Sequence, residues 1–547
     1  MLISTFLVGA LHLGSCLGRP QTRRDEVVPV VESSIADFVE SLQLPADTAE
    51  LITNTLTSND EVIVLLSNAT SEVEKRSLKS SSKLAPVACD ILQKCLGNAV
   101  VQASSRALIE VNWSQECWLT PQCIISPASS RDVSVAIKTV GFLNTRFAVR
   151  SGGHSPNPGF SSIGPEGILI ELSRLNQVTL SADKKVASVG PGLRWGDVYK
   201  ALDASGVTAI GGRIPSVGVG GLILSGGISH FSAQFGLAAD NVENFEIVLA
   251  DGSVANANAQ SNADLFWSLK GGGPNFGIVT KYDLYTAPVK NIWYTARVHL
   301  ASDVPALLAA FVQYQNEGAL DEKTSVLFQI GLDTVTVGLV YSENARQPAA
   351  FDPFFRIAPL VLFVPPTNGT VVSFTDVLGA VFGDADQPHD YRGASSLVDL
   401  ALYTEVETFW RTQASAVRAA TGANMTFTMQ HMPQSVVTKG TARGGNALGM
   451  VNKPQQWWTT VVDWSSASQD AAVRDPVIAV GEKWKSAGQA RGSYVPLIYM
   501  GDGSRDQNPL ASYGTENLNK LKATAKKYDP RELFQTMQQS GFLLSKA

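Results

Sequence analysis

Arg150-Ser151-Gly152-Gly153-His154-Ser155 opens, and Gly211-Gly212-Arg213-Ile214-Pro215-Ser216-Val217-Gly218-Val219-Gly220-Gly221 closes, the stretch whose reading decides the fold of this chain. Glycine at this density lets backbone N–H groups approach a bound anion such as a pyrophosphate without Cβ clashes. Neither segment has the G-x-G-x-x-G spacing at a helix start that a Rossmann dinucleotide site needs. What marks the stretch is a lone histidine inside a tight Gly-Gly-His-Ser loop, followed by a second glycine cluster.

Working outward, the flanks read as alternating strands and helices. Ser129-Ser130 caps a helix with apolar Val133, Ala136, Ile137 and Val140. Phe147-Ala148-Val149 is a short strand running straight into the histidine loop. Ile168 to Leu172 and Val186 to Val189 are further strands, and Trp195 to Ser205 is a helix ended by Gly206. Phe245 to Ala250, Asp251-Gly252 and Ser253 to Ala255 read as a hairpin with a type I′ turn. Leu265 to Lys270 is a helix that meets a Gly271-Gly272-Gly273-Pro274 run, and Ile278 to Tyr285 alternates as a strand does. Further on come long strands over Thr324–Ile330, Val335–Tyr341, Met425–Gln430 and Trp457–Trp464, with a helix over Val398–Thr412. An antiparallel sheet covered by helices on one face is expected there.

The chain has 547 residues, past the size at which single cores stop growing, so several domains are expected. Hydrophobic residues at 44% and charged residues at 17% describe a globular protein, and a net charge of −6 without a basic run argues against a nucleic-acid surface. Leu2 to Leu17 has signal-peptide length and is too short to span a bilayer, with small residues near Ser15, Cys16 and Gly18 for cleavage. Arg23-Arg24 is a candidate processing site. Residues from about Val27 to Ser82 form a helical extension whose apolar face is Ala36, Phe38, Val39, Leu42 and Leu44, with a Ser-rich linker near Ser77 to Ser82.

Secretion is the expectation, and cysteine usage agrees with it. Cys89, Cys95, Cys117 and Cys123 favour two disulfides over a zinc site, because they lack C-x₂-C spacing and have no histidine nearby; the pairing stays open. Sequons at Asn68, Asn112, Asn368 and Asn424 are candidate glycosylation sites.

Arg150 to Ser155, Pro191-Gly192, Ser216 to Gly221, Ser225-Gly226-Gly227, Gly236 to Val242 and Gly271 to Thr280, in that order, resemble the vanillyl-alcohol-oxidase (PCMH-type) FAD domain of berberine bridge enzyme-like proteins. Tyr513-Gly514 and Lys527-Tyr528-Asp529-Pro530 resemble that group's closing segment. The resemblance implies an α+β chain: a signal peptide at 1–18, an extension at 19–116, a two-subdomain FAD domain at 117–289, a substrate domain at 290–491 and a returning segment at 492–547. It implies an oxidase passing a substrate hydride to FAD, with dioxygen leaving as hydrogen peroxide, since the flavin supplies the chemistry. FAD is expected to be attached through His154 alone, because the position where bicovalent members carry cysteine is Ile214. Arg150, Ser151, Gly152, Gly153, Ser155, Ser216, Val217, Gly218, Gly220, Gly221, Ser225, Gly226, Gly277 and Ile278 are the other expected cofactor residues. Tyr499 and His431 are candidate bases, with Gln430 beside the latter. Where relatives follow the tyrosine pair with asparagine, this chain has Gly501-Asp502.

The scattered histidines His230, His299, His389 and His431 weigh more as structural than as catalytic, and the Trp457-Trp458-Trp464 strand more as core than as substrate platform. Lid strands rich in Val, Phe, Met and Trp favour a small, largely apolar secondary metabolite. The rivals are a secreted carbohydrate oxidase and a redox-neutral isomerase or cyclase. No metal, membrane or nucleic-acid partner is expected, and a monomer is.

Overall fold

The computed structural model describes residues 22–68, 82–381 and 386–547, and these fall into two compact units divided between Leu78 and Lys79. Among the described residues the first holds three helices, Thr22–Ser41, Ala46–Thr57 and Asp60–Ser67. Val31, Ile35, Phe38, Val39 and Leu42 are its buried stripe on the first helix. Ala36, expected on that stripe, is exposed, because the i, i+3, i+4, i+7 rows run from Ile35 instead. The expected signal segment and nearly all of the Ser-rich linker lie outside the described residues. Among the described residues, no helix is long and apolar enough to cross a membrane.

The second unit is built on three sheets. β1 (Val101–Gln102), β2 (Cys123–Ile125), β3 (Arg146–Arg150) and β4 (Gly167–Glu171) run in the order β1-β2-β4-β3. β4 lies parallel to both neighbours and is buried along its whole length, as an apolar run in a parallel sheet should be. The helix Ser130–Leu143 feeds this layer: Ser129 caps it by accepting the Asp132 N–H at 3.2 Å, a cap worth about 1 kcal/mol. Asn144, in the left-handed conformation at φ 48°, ends it and turns the chain into β3. Residues from 82 onward, expected in the N-terminal extension, join this layer, since β1 pairs with β2.

β5 (Val178–Leu180), β6 (Val186–Val189), β7 (Thr208–Ala209), β8 (Val242–Val248), β9 (Val254–Asn258) and β10 (Ile278–Ala287) make the second sheet, ordered β5-β6-β10-β8-β9 with β7 also on β10. The β8–β9 hairpin is not the expected type I′. Gly252 is left-handed at φ 80° but Asp251 is not. Gly252 N–H donates to Leu249 and Leu249 N–H to Ser253. That is a three-residue loop with glycine at its bulge, a form that needs only one positive φ.

The third sheet holds β11 (Asn291–Leu300), β12 (Thr324–Ile330), β13 (Thr334–Tyr341), β14 (Val361–Thr370), β15 (His389–Leu397), β16 (Asn424–Met425), β17 (Phe427–Met432), β18 (Gln455–Asp463) and β19 (Tyr494–Val495). Its order is β14-β11-β13-β12-β17-β18-β15-β19, with β16 on β18. Alternate residues serve two cores. Phe328, Ile330, Phe427, Met429 and Trp458 pack with Phe311, Trp410 and Trp484 of the helices Val304–Asn316, Leu400–Thr421 and Asp470–Arg491. Tyr294, Met432 and Trp457 face the core shared with the second sheet. The C-terminal segment returns to the first sheet, where Phe147 N–H donates to Met537 and Gln539 N–H to Phe147.

One disulfide joins Cys89 to Cys123, while Cys95 and Cys117 are free thiols, so the expected second bridge is absent. Cys89 and Cys95 sit on one helix, Ala85–Leu96, and six residues separate their directions by about 120°, so only one faces β2. Cys117 instead donates its thiol to the Ser155 carbonyl at 3.4 Å.

Candidate active site

The two glycine loops cross. A Cβ on Gly152 would stand 2.6 Å from the Gly218 nitrogen, and one on Gly218 2.6 Å from the Gly152 Cα. Both positions are glycine because backbone meets backbone there. Ser151 ties the crossing together: its hydroxyl donates to the Pro191 carbonyl at 2.5 Å and accepts the Gly220 N–H at 3.2 Å. Gly221 differs, for it is exposed and has nothing within 4 Å of where a Cβ would stand. Glycine beside open space is a surface that lets a dinucleotide's diphosphate approach the backbone closely. The residues present therefore fit FAD.

His154 stands at the end of this cradle, partly exposed, with its ring 4.7 Å from Trp113 and 11° from parallel. The remaining expected cofactor residues divide by what they touch. Arg150 points inward, 1% exposed, donating to the Leu108 carbonyl at 2.6 Å and lying 3.9 Å from Glu171, so it braces the loop rather than lining it. The Ser155 hydroxyl accepts the Asn157 N–H, Ser216 gives its carbonyl to Arg194, and Val217 gives its own to Trp195 N–H. Ser225 caps its own helix through Leu222. Gly226, at φ 106°, and Gly277 make close packings, Gly277 against the Val248 carbonyl; Ile278 is buried in β10.

A polar cluster is gathered by residues far apart in sequence. Arg213 donates to Gln430 Oε1, and Gln430 Nε2 donates to Asp502 Oδ2 at 2.6 Å. Tyr499, 6% exposed, stacks on Trp457 at 5.1 Å and 22°. Burial pushes the Tyr499 phenol up to about 12 and Asp502 adds to the rise, while Ser225 and Arg213 oppose it. Tyr499 is therefore a neutral phenol at pH 7, and the cation that could favour its anion is largely offset by Asp502. Burial also raises the Asp502 carboxyl, against the Gln430 hydrogen bond and Arg213. The Tyr499 ring explains the absent asparagine: a Cβ on Gly501 would lie 2.6 Å from the phenol's Cζ. Glycine seats the ring, and the polar group is carried one residue later.

His431 and Tyr499 are not brought together. On β17, Gln430 shares the cluster's face, whereas His431 turns to the opposite side and meets Gln315 at 3.2 Å and the Gln455 carbonyl at 3.2 Å through Nδ1. Its pKa falls to about 4 by burial, with Gln455 pulling the other way. β17 pairs with β12 only from Phe427 to Met429. Beyond that ladder a cavity of about 30 Å³ opens between Ser325, Val326, Gln430 and His431, with Arg213 and His230 at one side. His431 Nε2 has no protein hydrogen-bond partner there, while His230 faces Arg213. Burial, aided by the Arg213 charge, lowers His230 to about 3, so it is a neutral imidazole.

The three tryptophans are core as expected: Trp458 and Trp464 pack on the helix side, and Trp457, 1% exposed, packs in the core shared with the second sheet, where it stacks on Tyr499. Asn112 is 3% exposed, with its Nδ2 donating to the Cys117 carbonyl; a glycan has no room there. Asn68, Asn368 and Asn424 are exposed. Sequence reasoning missed Asp502, Arg213 and Trp113 as site residues. Arg213 had a signal, a lone cation between glycines, and Trp113 was hidden inside a sequon.

A family model described as an FAD binding domain matches residues 121–258. The chain is 40% identical over 458 residues to an FAD-dependent monooxygenase of Arthrobotrys oligospora, covering 83% of this chain and 89% of that protein. It is 33% identical over 469 residues to the bifunctional solanapyrone synthase of Alternaria solani, covering 84% and 89%. Among solved structures, the glucooligosaccharide oxidase of Acremonium strictum, described with a 6-S-cysteinyl, 8α-N1-histidyl FAD, superposes with a TM-score of 0.69 at 18% identity, over 85% of this chain and 99% of that one.

Proposed function

We infer the reaction from one premise: the chain belongs to the FAD-binding oxidoreductases of the berberine bridge enzyme-like group. The function it supports best is oxidation of a small, largely apolar secondary metabolite, with dioxygen as the final acceptor. The observation that carries this reading is the Arg213–Gln430–Asp502 cluster beside Tyr499, on the sheet face opposite the helices. When bound, FAD supplies the two-electron acceptor.

The chain's own residues then have distinct tasks. Asp502, oriented by Gln430 Nε2 and balanced by Arg213, accepts the proton that leaves an O–H or N–H as the adjacent C–H gives up its hydride. Tyr499 donates a hydrogen bond as a neutral phenol. The Tyr499–Trp457 stack supplies an apolar wall.

His154 holds the cofactor. An imidazole nitrogen of His154 would be the nucleophile for a covalent attachment, giving up its ring N–H as the bond forms, with dioxygen as the two-electron acceptor that such an attachment needs. Ile214 offers no second attachment. The signal segment, one disulfide and the three exposed sequons support passage through the secretory pathway.

Relatives named for a monooxygenase and for solanapyrone synthase are 40% and 33% identical to this chain, against 18% for the oligosaccharide oxidase, which favours a secondary metabolite over a sugar. Monooxygenation is a second reading, favoured by the name of the first relative. The experiment is anaerobic bleaching of the purified yellow protein by a panel of hydroxylated polyketides and of cello- and chito-oligosaccharides, followed by turnover under ¹⁸O₂. Bleaching by the polyketides, unlabelled product and one peroxide per turnover are expected. Label in the product would install the monooxygenase reading, and bleaching by the sugars alone would overturn the substrate class. Acid precipitation should leave flavin on the protein, and His154→Ala should release it.

A further inference from the structure

We propose that Trp113 is the positioning residue for His154, and that through it the third sheet orients the imidazole that holds the flavin. The inference rests on the reading of His154 as the attachment point. A C–N bond forms only if the imidazole presents a ring nitrogen along one direction. Gly153, left-handed at φ 67°, fixes the backbone ahead of His154, and a residue from outside the loop bears on the imidazole itself.

Trp113 does so in two ways. Its backbone N–H donates to the Gly153 carbonyl at 2.9 Å, which registers the segment to the peptide just before His154. Its indole then lies flat on the imidazole, 4.7 Å away and 11° from parallel. The fit is close enough that a Cβ on Gly153 would stand 2.8 Å from Asn112 Oδ1.

The indole is itself held. His389 stacks on it at 3.8 Å and 3°, and Tyr391 at 5.2 Å and 29°. His389 is fixed by Asp463, 2.7 Å from its Nδ1, and its backbone N–H donates to Ser114 Oγ at 3.0 Å. His389 and Asp463 are also register partners between β15 and β18. The contacts thus run from β18 through Asp463, His389 and Trp113 to His154, which ties the imidazole plane to the third sheet. Core filling does not account for Trp113, because it stays partly exposed while three rings stack upon it. Trp113 makes and breaks no bond; it holds the ring that does.

The test follows attachment, not turnover. Protein made under riboflavin limitation is reconstituted with FAD. Total bound flavin is read from the native absorbance, and attached flavin from the acid precipitate over time. Trp113→Leu should bind FAD yet attach it on the order of fivefold more slowly, the worth of one aromatic stack. Trp113→Phe should recover most of the rate, which a purely structural role would not grant to a ring alone. His389→Ala, which leaves the indole but strips its outer support, should fall between. Wild-type attachment in Trp113→Leu overturns the proposal and leaves His154 standing. Should that variant fail to fold, wild-type attachment in His389→Ala overturns it equally. Release of all flavin from the wild-type protein overturns the His154 reading and this one together.

Discussion

Two alanine substitutions in the cofactor cradle should have opposite effects, because two neighbouring glycines are there for different reasons. A Cβ on Gly152 meets the Gly218 backbone at 2.6 Å, so the loops must part by about 1 Å to regain ordinary contact. Such overpacking costs about 1–3 kcal/mol. Parting also strains the Gly220 N–H to Ser151 Oγ bond of 3.2 Å, worth a further 0.5–1.5 kcal/mol or about that. Gly152→Ala should therefore lose about 2–4 kcal/mol whether or not FAD is present. Gly221→Ala meets nothing within 4 Å, and alanine in place of helical glycine gains up to about 1 kcal/mol. Its apoprotein should melt at or above the wild-type temperature. If the open space is the diphosphate's, the new methyl should weaken FAD about tenfold. The assay is thermal melting of apo and loaded protein with calorimetric titration of FAD, both in a His154→Ala background so that attachment does not mask affinity. Wild-type affinity in Gly221→Ala would refute the cradle's location, and wild-type melting in Gly152→Ala would refute the loop crossing.

Asp502→Asn should abolish turnover while stabilising the fold at neutral pH. A carboxyl raised by burial binds its proton more tightly folded than unfolded, so it costs stability above its raised pKa, and that cost disappears below the ordinary value; pH-dependent melting of the two proteins should converge in acid. In the wild-type protein, the acid limb of the turnover profile should lie above the ordinary carboxyl range. Cys95 and Cys117, raised by burial to about 11 and about 12, should resist alkylation at pH 8 until the protein is unfolded, when peptide mass spectrometry should find both labelled.

Much of the fold was legible because it is local. Thr324–Ile330 alternates buried and half-buried residues without a break, and such a period is written in the chain itself. The Ser129 cap, the helix starting at Trp195 (expected to Ser205 and ending at Asp203) and the strand entering the histidine loop were equally plain. The hairpin type was not, since Asp-Gly suits both a two-residue turn and a three-residue loop, and strand twist with register selects between them. Nor was the disulfide pairing, which depends on which side of the helix Ala85–Leu96 meets β2.

The sequence by itself determined the alternating strands, the tight glycine loops around a histidine and a later antiparallel sheet, because periodicity and glycine placement are properties of near neighbours; the FAD domain came from the resemblance those loops carry. It determined that Gln430 and His431 face opposite ways. Only the tertiary structure decided which of the two enters the site, since a period of two separates the faces but does not say which one meets the cofactor's loops. Arg213, Gln430 and Asp502 became one cluster, and Asp463, His389, Trp113 and His154 one stack, through contacts between distant segments. Their chemistry comes from burial and from partners that chain order does not reveal.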